Sequence, residues 1–166
     1  MSLAHALDGL KVVDFTQIAA GPTCTLALAD LGADVVKVEA PGGELGRAFF
    51  PFVEGESASF MALNRNKRSI VLDLKQPGDL RAAQALAARA DVLVESFRPG
   101  VMQRLGLGYE TLAPRNPRLV YCSISAYGQQ GAWRDKPGVD GVVQATSGLM
   151  SVTGEPGAGK SIIVGA

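Results

Sequence analysis

Residues 11–39 read KVVDFTQIAAGPTCTLALADLGADVVKVE, and their order decides the fold class. Lys11-Val12-Val13-Asp14-Phe15 is a β-branched run that predicts a strand. Gly21-Pro22 then punctuates the chain, with proline's fixed φ suited to a helix start. Residues 23–31 hold good helix formers, and Gly32 is placed to close that helix in a left-handed conformation. A second β-branched run, residues 35–39, follows at once. Strand, turn, helix and strand in that order open a parallel crossover unit.

The alternation continues on the C-terminal side. Residues 41–56 form a long Gly-rich stretch expected to be a surface loop. A short helix is predicted over residues 57–63, a basic turn over 64–68 and a third strand over 69–73. Residues 79–90 predict a helix whose apolar positions Leu80, Ala83, Leu86, Ala87 and Ala90 recur at helical spacing. Strands follow over 92–95 and 119–124, with short helices between them over 101–105 and 109–112. The expected class is α/β: a Rossmann-like open, mainly parallel sheet with helices on both faces. Such sheets bind ligands beyond the carboxyl ends of their strands, here after Phe15, Glu39, Asp73, Glu95 and Ser125.

Composition narrows the partners. The 166 residues are 47% hydrophobic and 19% charged, enough for one globular domain without disulfide or metal staples. Sixteen basic residues balance sixteen acidic ones, giving no electrostatic pull toward nucleic acid or a membrane surface. No signal-peptide pattern is present and no apolar run nears the roughly 18–20 residues that span a bilayer, so a cytoplasmic protein is expected. Cys24 and Cys122 sit in apolar segments and read as small buried hydrophobes. The single histidine, His5, precedes the first strand; the sequence assembles neither a Ser–His–Asp triad nor a multi-histidine zinc site. No metal is expected.

Two local patterns suggest nucleotide chemistry. Gly154-Glu155-Pro156-Gly157-Ala158-Gly159-Lys160-Ser161 fits the phosphate-loop pattern G-x-x-x-x-G-K-[ST]. That loop needs a helix after it, yet residues 162–166 look more like strand, and residues 147–153 before it read as a weak strand. A Gly/Pro-rich turn with an exposed Lys160 is the plainer reading. Residues 11–39 also have the outline of a dinucleotide site ending in an acid, Glu39. Their turn, Thr16 to Pro22, lacks G-x-G-x-x-G, so the backbone has no glycines with which to approach a pyrophosphate.

Several further motifs occur in a fixed order. They are Asp14-Phe15-Thr16 with Ala20-Gly21-Pro22, then Leu31-Gly32-Ala33-Asp34 through Glu39, Asn64-Arg65-Asn66-Lys67-Arg68, and Leu72-Asp73-Leu74-Lys75. Asp91 through Gly100 (DVLVESFRPG) and Pro137 through Pro156 complete the set. Together they resemble the family III CoA-transferases over nearly the whole chain, from about Leu7 to Ala166. The resemblance implies transfer of CoA between an acyl-CoA thioester and a carboxylic acid. An aspartate would serve as a covalent relay through an acyl anhydride and an aspartyl-CoA thioester. That aspartate is expected just beyond Ala166, so residues 1–166 are expected to be the N-terminal, CoA-binding Rossmann-like portion of a larger enzyme of about 400 residues. Alone they would be inactive and would contain no catalytic residue. The family's members are interlocked homodimers, which sets the expected assembly.

The resemblance also places the coenzyme A contacts. Lys75, Arg104 and Lys136 match positions at or beside CoA, where cations suit its phosphates. Leu72 and Phe97 would flank adenine or pantetheine, and Ser96 and Arg98 lie in the turn after the fourth predicted strand. Gln17, in the turn after the first strand, completes the set; Ala19 stands where formyl-CoA:oxalate transferases carry a glutamine. Arg65, Lys67 and Arg68 are expected to form a structural or exposed turn. Racemases of the family carry G-H-D where this chain has Gly138-Val139-Asp140, and without that imidazole α-methylacyl-CoA racemisation lacks a proton-transfer partner. The remaining alternatives are a P-loop NTPase and a stand-alone CoA-binding module.

Overall fold

Five parallel strands run through the centre of the first of two compact units, residues 1–124 and 125–166. The computed structural model describes residues 5–154. The phosphate-loop pattern past Gly154, including Lys160, and residues 162–166 lie outside the described residues.

The first unit follows the expected alternation. β1 (Lys11–Phe15), α1 (Ala20–Asp30) and β2 (Asp34–Glu39) form the opening crossover. A 3-10 turn (Leu45–Ala48), β3 (Phe52–Val53), β4 (Glu56–Ser57) and α2 (Ala58–Asn64) lead to β5 (Lys67–Val71). Then come α3 (Pro77–Ala87), β6 (Val92–Glu95), α4 (Val101–Arg104), α5 (Tyr109–Leu112) and β7 (Val120–Ser123). The main sheet has the order β5-β2-β1-β6-β7, and every pairing in it is parallel. β3 and β4 make a separate antiparallel pair.

Side chains alternate along each strand, so the sheet has two faces of different character. On one face Val13, Phe15, Val38 and Leu93 pack with Ala83 and Ala87 of α3 and with Met102, Leu107 and Leu112. On the other, Val12, Val35 and Val94 pack with Ala29 of α1 and Ala33. That second face changes toward the carboxyl ends of the strands. The next inward positions are Asp14 and Lys37, which are register partners, and then Glu39, all buried. Apolar packing gives way to a buried ionic layer where ligands of such folds bind.

Three local expectations are corrected. The third strand of the sheet begins at Lys67, two residues earlier than the sequence pattern suggests, because the Lys67 side chain turns inward onto polar partners. The loop over residues 41–56 contains the 3-10 turn and the β3–β4 pair. In the second unit, residues 147–153, predicted as a weak strand, are helical from Leu149 to Val152 (α7), which follows α6 (Asp140–Ser147) across Gly148 at φ 82°. That left-handed angle suits glycine and lets one helix end as the next begins.

Candidate functional site at the carboxyl ends of the strands

The strand order reverses between β1 and β6, since the chain runs outward from β1 to β5 and then returns to build β6 and β7. This is the switch point at which open α/β sheets leave a crevice. Two turns border it: Thr16–Ile18 after β1 and Ser96–Arg98 after β6. They are tied together, because Gln17 N–H donates to Ser96 Oγ at 3.2 Å.

Side chains hold the first turn in place residue by residue. Asp14 Oδ1 accepts from Thr16 N–H at 2.8 Å and from its hydroxyl at 2.5 Å. Lys37 Nζ donates to the Thr16 carbonyl at 2.9 Å and stands 3.9 Å from Asp14 Oδ2. Ile18 has φ 68°, a conformation that a β-branched side chain strains, and its N–H donates to Glu44 Oε2 at 2.8 Å. The first turn of α1 rests on the same residue, for a Cβ on Gly21 would stand 2.2 Å from Thr16 Cβ. Only glycine permits that approach.

Buried charges around the turn are matched. Lys67 Nζ donates to Asp14 Oδ2 at 3.3 Å, to the Pro22 carbonyl at 2.9 Å and to Asn64 Oδ1 at 3.0 Å. Burial pushes its ammonium below the usual lysine range, and Asp14 opposes that shift. Thr25 Oγ1 also donates to Asp14 Oδ2, at 2.6 Å. Glu39 takes a two-point contact from Arg47, 2.7 Å from Nε and 2.8 Å from Nη2, plus bonds from Ser69 Oγ and Glu44 N–H. The Arg47 guanidinium holds the Glu39 carboxyl down at about 2 against the opposing effect of burial. The same guanidinium stacks on the Phe60 ring at 3.8 Å.

Glu95, at the end of β6, is treated differently. Its carboxylate accepts from Phe97 N–H at 2.8 Å and from the Ser123 hydroxyl, and no cation reaches it among the described residues. Burial pushes its carboxyl above the ordinary 4.5. Burial likewise raises the neighbouring Tyr121 phenol and the Cys122 thiol.

The eight residues expected to contact CoA fall into five places. Gln17, Ser96, Phe97 and Arg98 border the switch-point crevice. Arg98 is exposed and its carbonyl accepts Val101 N–H; Arg104, exposed at the end of α4, reaches back to within 3.1 Å of where a Cβ on Gly100 would stand. Leu72 is 7% exposed and belongs to the main core, with the half-buried Phe97 packed against the same cluster. Lys75 is exposed in the turn between β5 and α3. Lys136 belongs to the second unit, where its ammonium lies 4.1 Å over the Trp133 ring. Sequence reasoning missed Lys37, Glu44, Arg47 and the inward role of Lys67. The signal was available: a strand covered on both faces reads as a continuous apolar run, and Asp14 and Lys37 interrupt two such runs. No group of three or more His, Cys, Asp and Glu side chains among the described residues could hold a metal ion. No helix among them is long and apolar enough to cross a membrane.

The sheet order and the tied switch-point turns define an α/β protein with a Rossmann-like parallel sheet. The chain belongs to CoA-transferase family III, whose sequence profile matches residues 7–165. It is 49% identical over 150 residues to the acetyl-CoA:oxalate CoA-transferase of Acetobacter aceti, covering 90% of this chain and 39% of that protein. It is 45% identical over 150 residues to the succinyl-CoA:glutarate CoA-transferase of Mus musculus, covering 89% of this chain and 34% of that protein. The crystal structure of a CAIB/BAIF family protein from Brucella suis matches with a TM-score of 0.90 at 42% identity, over 96% of this chain and 43% of that one. The chain thus spans between 34% and 39% of the length of these two curated relatives.

Proposed function

We propose that the protein transfers CoA from an acyl-CoA thioester to a carboxylic acid, and that this chain supplies the CoA-binding portion of that enzyme. The observation carrying this reading is the Gln17–Ser96 clasp across the switch point, with Phe97 and Arg98 following directly on it. The clasp fixes two ligand-side turns against each other where the fold leaves its crevice. Lys75, Arg98, Arg104 and Lys136 supply cations for the phosphates, and Gln17, Leu72, Ser96 and Phe97 the neutral contacts. The enzyme works in the cytoplasm as a homodimer that includes chain beyond these 166 residues, with an aspartate there as nucleophile. It needs no metal, nucleic acid or membrane.

The test is direct. Full-length protein is incubated with a panel of acyl-CoAs and carboxylic acids, and CoA exchange is followed by mass spectrometry. The relatives named for oxalate and glutarate act on dicarboxylates, so short dicarboxylic acids head the acceptor panel. At least one pair should exchange CoA. In deuterium oxide the α-hydrogen of the acyl group should stay in place, because Val139 stands where the family's racemases carry histidine. Absence of exchange with every pair, or exchange of the α-hydrogen without CoA transfer, would reject the assignment.

A further inference from the structure

Two free thiols meet on the face of the sheet that α1 covers. Asp14, Val94 and Cys122 are register partners across β1, β6 and β7, and partners in a parallel sheet point to the same side. The Cys122 side chain accordingly packs in the cluster built on Val12, Ala29, Val35 and Val94. Thr25 anchors α1 on the same row through its 2.6 Å bond to Asp14. The residue before it, Cys24, packs on that cluster too, and its side chain shares a hydrogen bond with the Cys122 thiol. The two cysteines are remote in the chain and adjacent in the fold.

The pair has no part in the site described above. Neither cysteine is among the residues expected to hold CoA, and among the described residues no third His, Cys, Asp or Glu joins them in a group that could hold a metal ion. Both are half-buried and not sealed in the core. A covalent S–S bond is about 2.05 Å long, so converting the contact into a bond needs only a small approach of α1 to β7, the edge strand of the sheet. Burial and the adjacent Cys24 keep the proton on Cys122. Since the thiolate is the attacking form, Cys24 is placed to attack first and Cys122 to resolve.

We propose that Cys24 and Cys122 form a reversible disulfide site, oxidised by a small-molecule disulfide, that braces α1 against β7. The Cys24 thiolate attacks one sulfur of the reagent, forming a mixed disulfide and expelling a thiolate. Cys122 then gives up its proton and attacks the Cys24 sulfur, forming the Cys24–Cys122 bond and expelling the second thiolate. Two protein thiols are oxidised, one small disulfide is reduced to two thiols, and the protons of the two cysteines end on those thiols. The brace links two elements that end at the ligand side. α1 begins at Gly21 against Thr16, and β7 ends at Ser123, whose hydroxyl bonds Glu95. In a reducing compartment such a bond is transient, which makes the pair a responder to oxidant and not a permanent staple. The inference goes beyond the CoA reading and does not depend on it.

The experiment incubates the full-length protein near neutral pH with oxidised glutathione, blocks remaining thiols with iodoacetamide and digests with trypsin without reduction. Residues 12–37 and 119–134 should appear as one disulfide-linked peptide pair that dithiothreitol separates. The link should form at least about tenfold faster in native protein than in urea, where a loop of about a hundred residues must first close. Cys122→Ser should stop the reaction at a stable glutathione adduct on Cys24, and Cys24→Ser should leave Cys122 unmodified over the same time. In the unsubstituted protein, oxidation should raise Tm by about 5 °C, and reductant should reverse the rise. The site is overturned by glutathione on both cysteines without the linked pair, by a link that forms as fast in urea, or by two cysteines that stay unmodified. Reaction of Cys122 in Cys24→Ser at the unsubstituted rate overturns the order of attack, and an unchanged or lower Tm removes the brace.

Discussion

Glu39 and Glu95 end the two parallel strands that flank β1, are both buried, and yet are shifted in opposite directions in proton affinity. The difference is a single partner. Arg47 gives Glu39 a two-point, charge-assisted contact, whereas Glu95 has a hydroxyl and one backbone N–H. A buried carboxylate without a cation makes ionisation costly to the folded state. Because the folded value of Glu95 lies above 4.5, its contribution to stability is complete below pH 4.5 and is lost as pH rises through the folded value. Glu95→Gln, which cannot ionise, should therefore raise Tm by about 2–4 °C at pH 8 and give no gain at pH 4. Thermal melts across that range check it; an unchanged or lower Tm at pH 8 would mean that the ionised carboxylate is compensated in the native protein. The sequence pattern picked out the turn after Glu95 as ligand-side but gave no sign of this asymmetry. Arg47 approaches Glu39 from a Gly-rich loop whose path no local pattern encodes.

At the scale of elements, helix α3 shows how tightly the sheet is covered. Ala83 and Ala87 are fully buried on its inner face, while Ala82 and Ala85 are exposed. Small residues at the contact let the helix lie close to the strands, so added volume there has nowhere to go. Ala83→Leu should destabilise the protein by about 1–3 kcal/mol in urea unfolding, and Ala85→Leu by less than about 0.5 kcal/mol. Equal effects would show that the helix can shift outward. This face was legible beforehand, because Leu80, Ala83, Leu86 and Ala87 recur at helical spacing and no long-range contact competes with that period. β1, β2 and β6 were legible for the same reason: β-branched runs in a doubly covered sheet need only local propensity. β5 was not. Its first residue, Lys67, is polar in sequence and buried in the fold, and what draws it inward is Asp14, 53 residues earlier in the chain. Residues 147–153 were misread as a weak strand because α7 has only four residues and the left-handed Gly148 before it breaks the helical period.

Over the whole molecule the charges cancel, sixteen against sixteen, so no net field gathers a polyanion from a distance. Within the first unit the ionic layer beneath the ligand end is also paired internally: Lys37 and Lys67 with Asp14, and Arg47 with Glu39. None of those cations is free to meet a phosphate. On the proposed reading, electrostatic attraction for CoA on this unit would come from exposed side chains, Lys75 and Arg98 on its ligand-side turns and Arg104 at the end of α4. Such contacts are short-ranged and screened, since the Debye length falls from about 14 Å at 0.05 M salt to about 4 Å at 0.5 M. CoA affinity should accordingly drop by about tenfold over that range of salt. Arg104→Ala should weaken CoA about fivefold at low salt, and the deficit should shrink at high salt as screening removes what the arginine contributed. Lys37→Met should show the other pattern, a loss of CoA affinity that is the same at both salt concentrations, because the lysine acts through the Thr16 carbonyl and not on a phosphate. A salt-independent affinity for CoA, with Arg104→Ala silent, would move the phosphates off this face of the sheet.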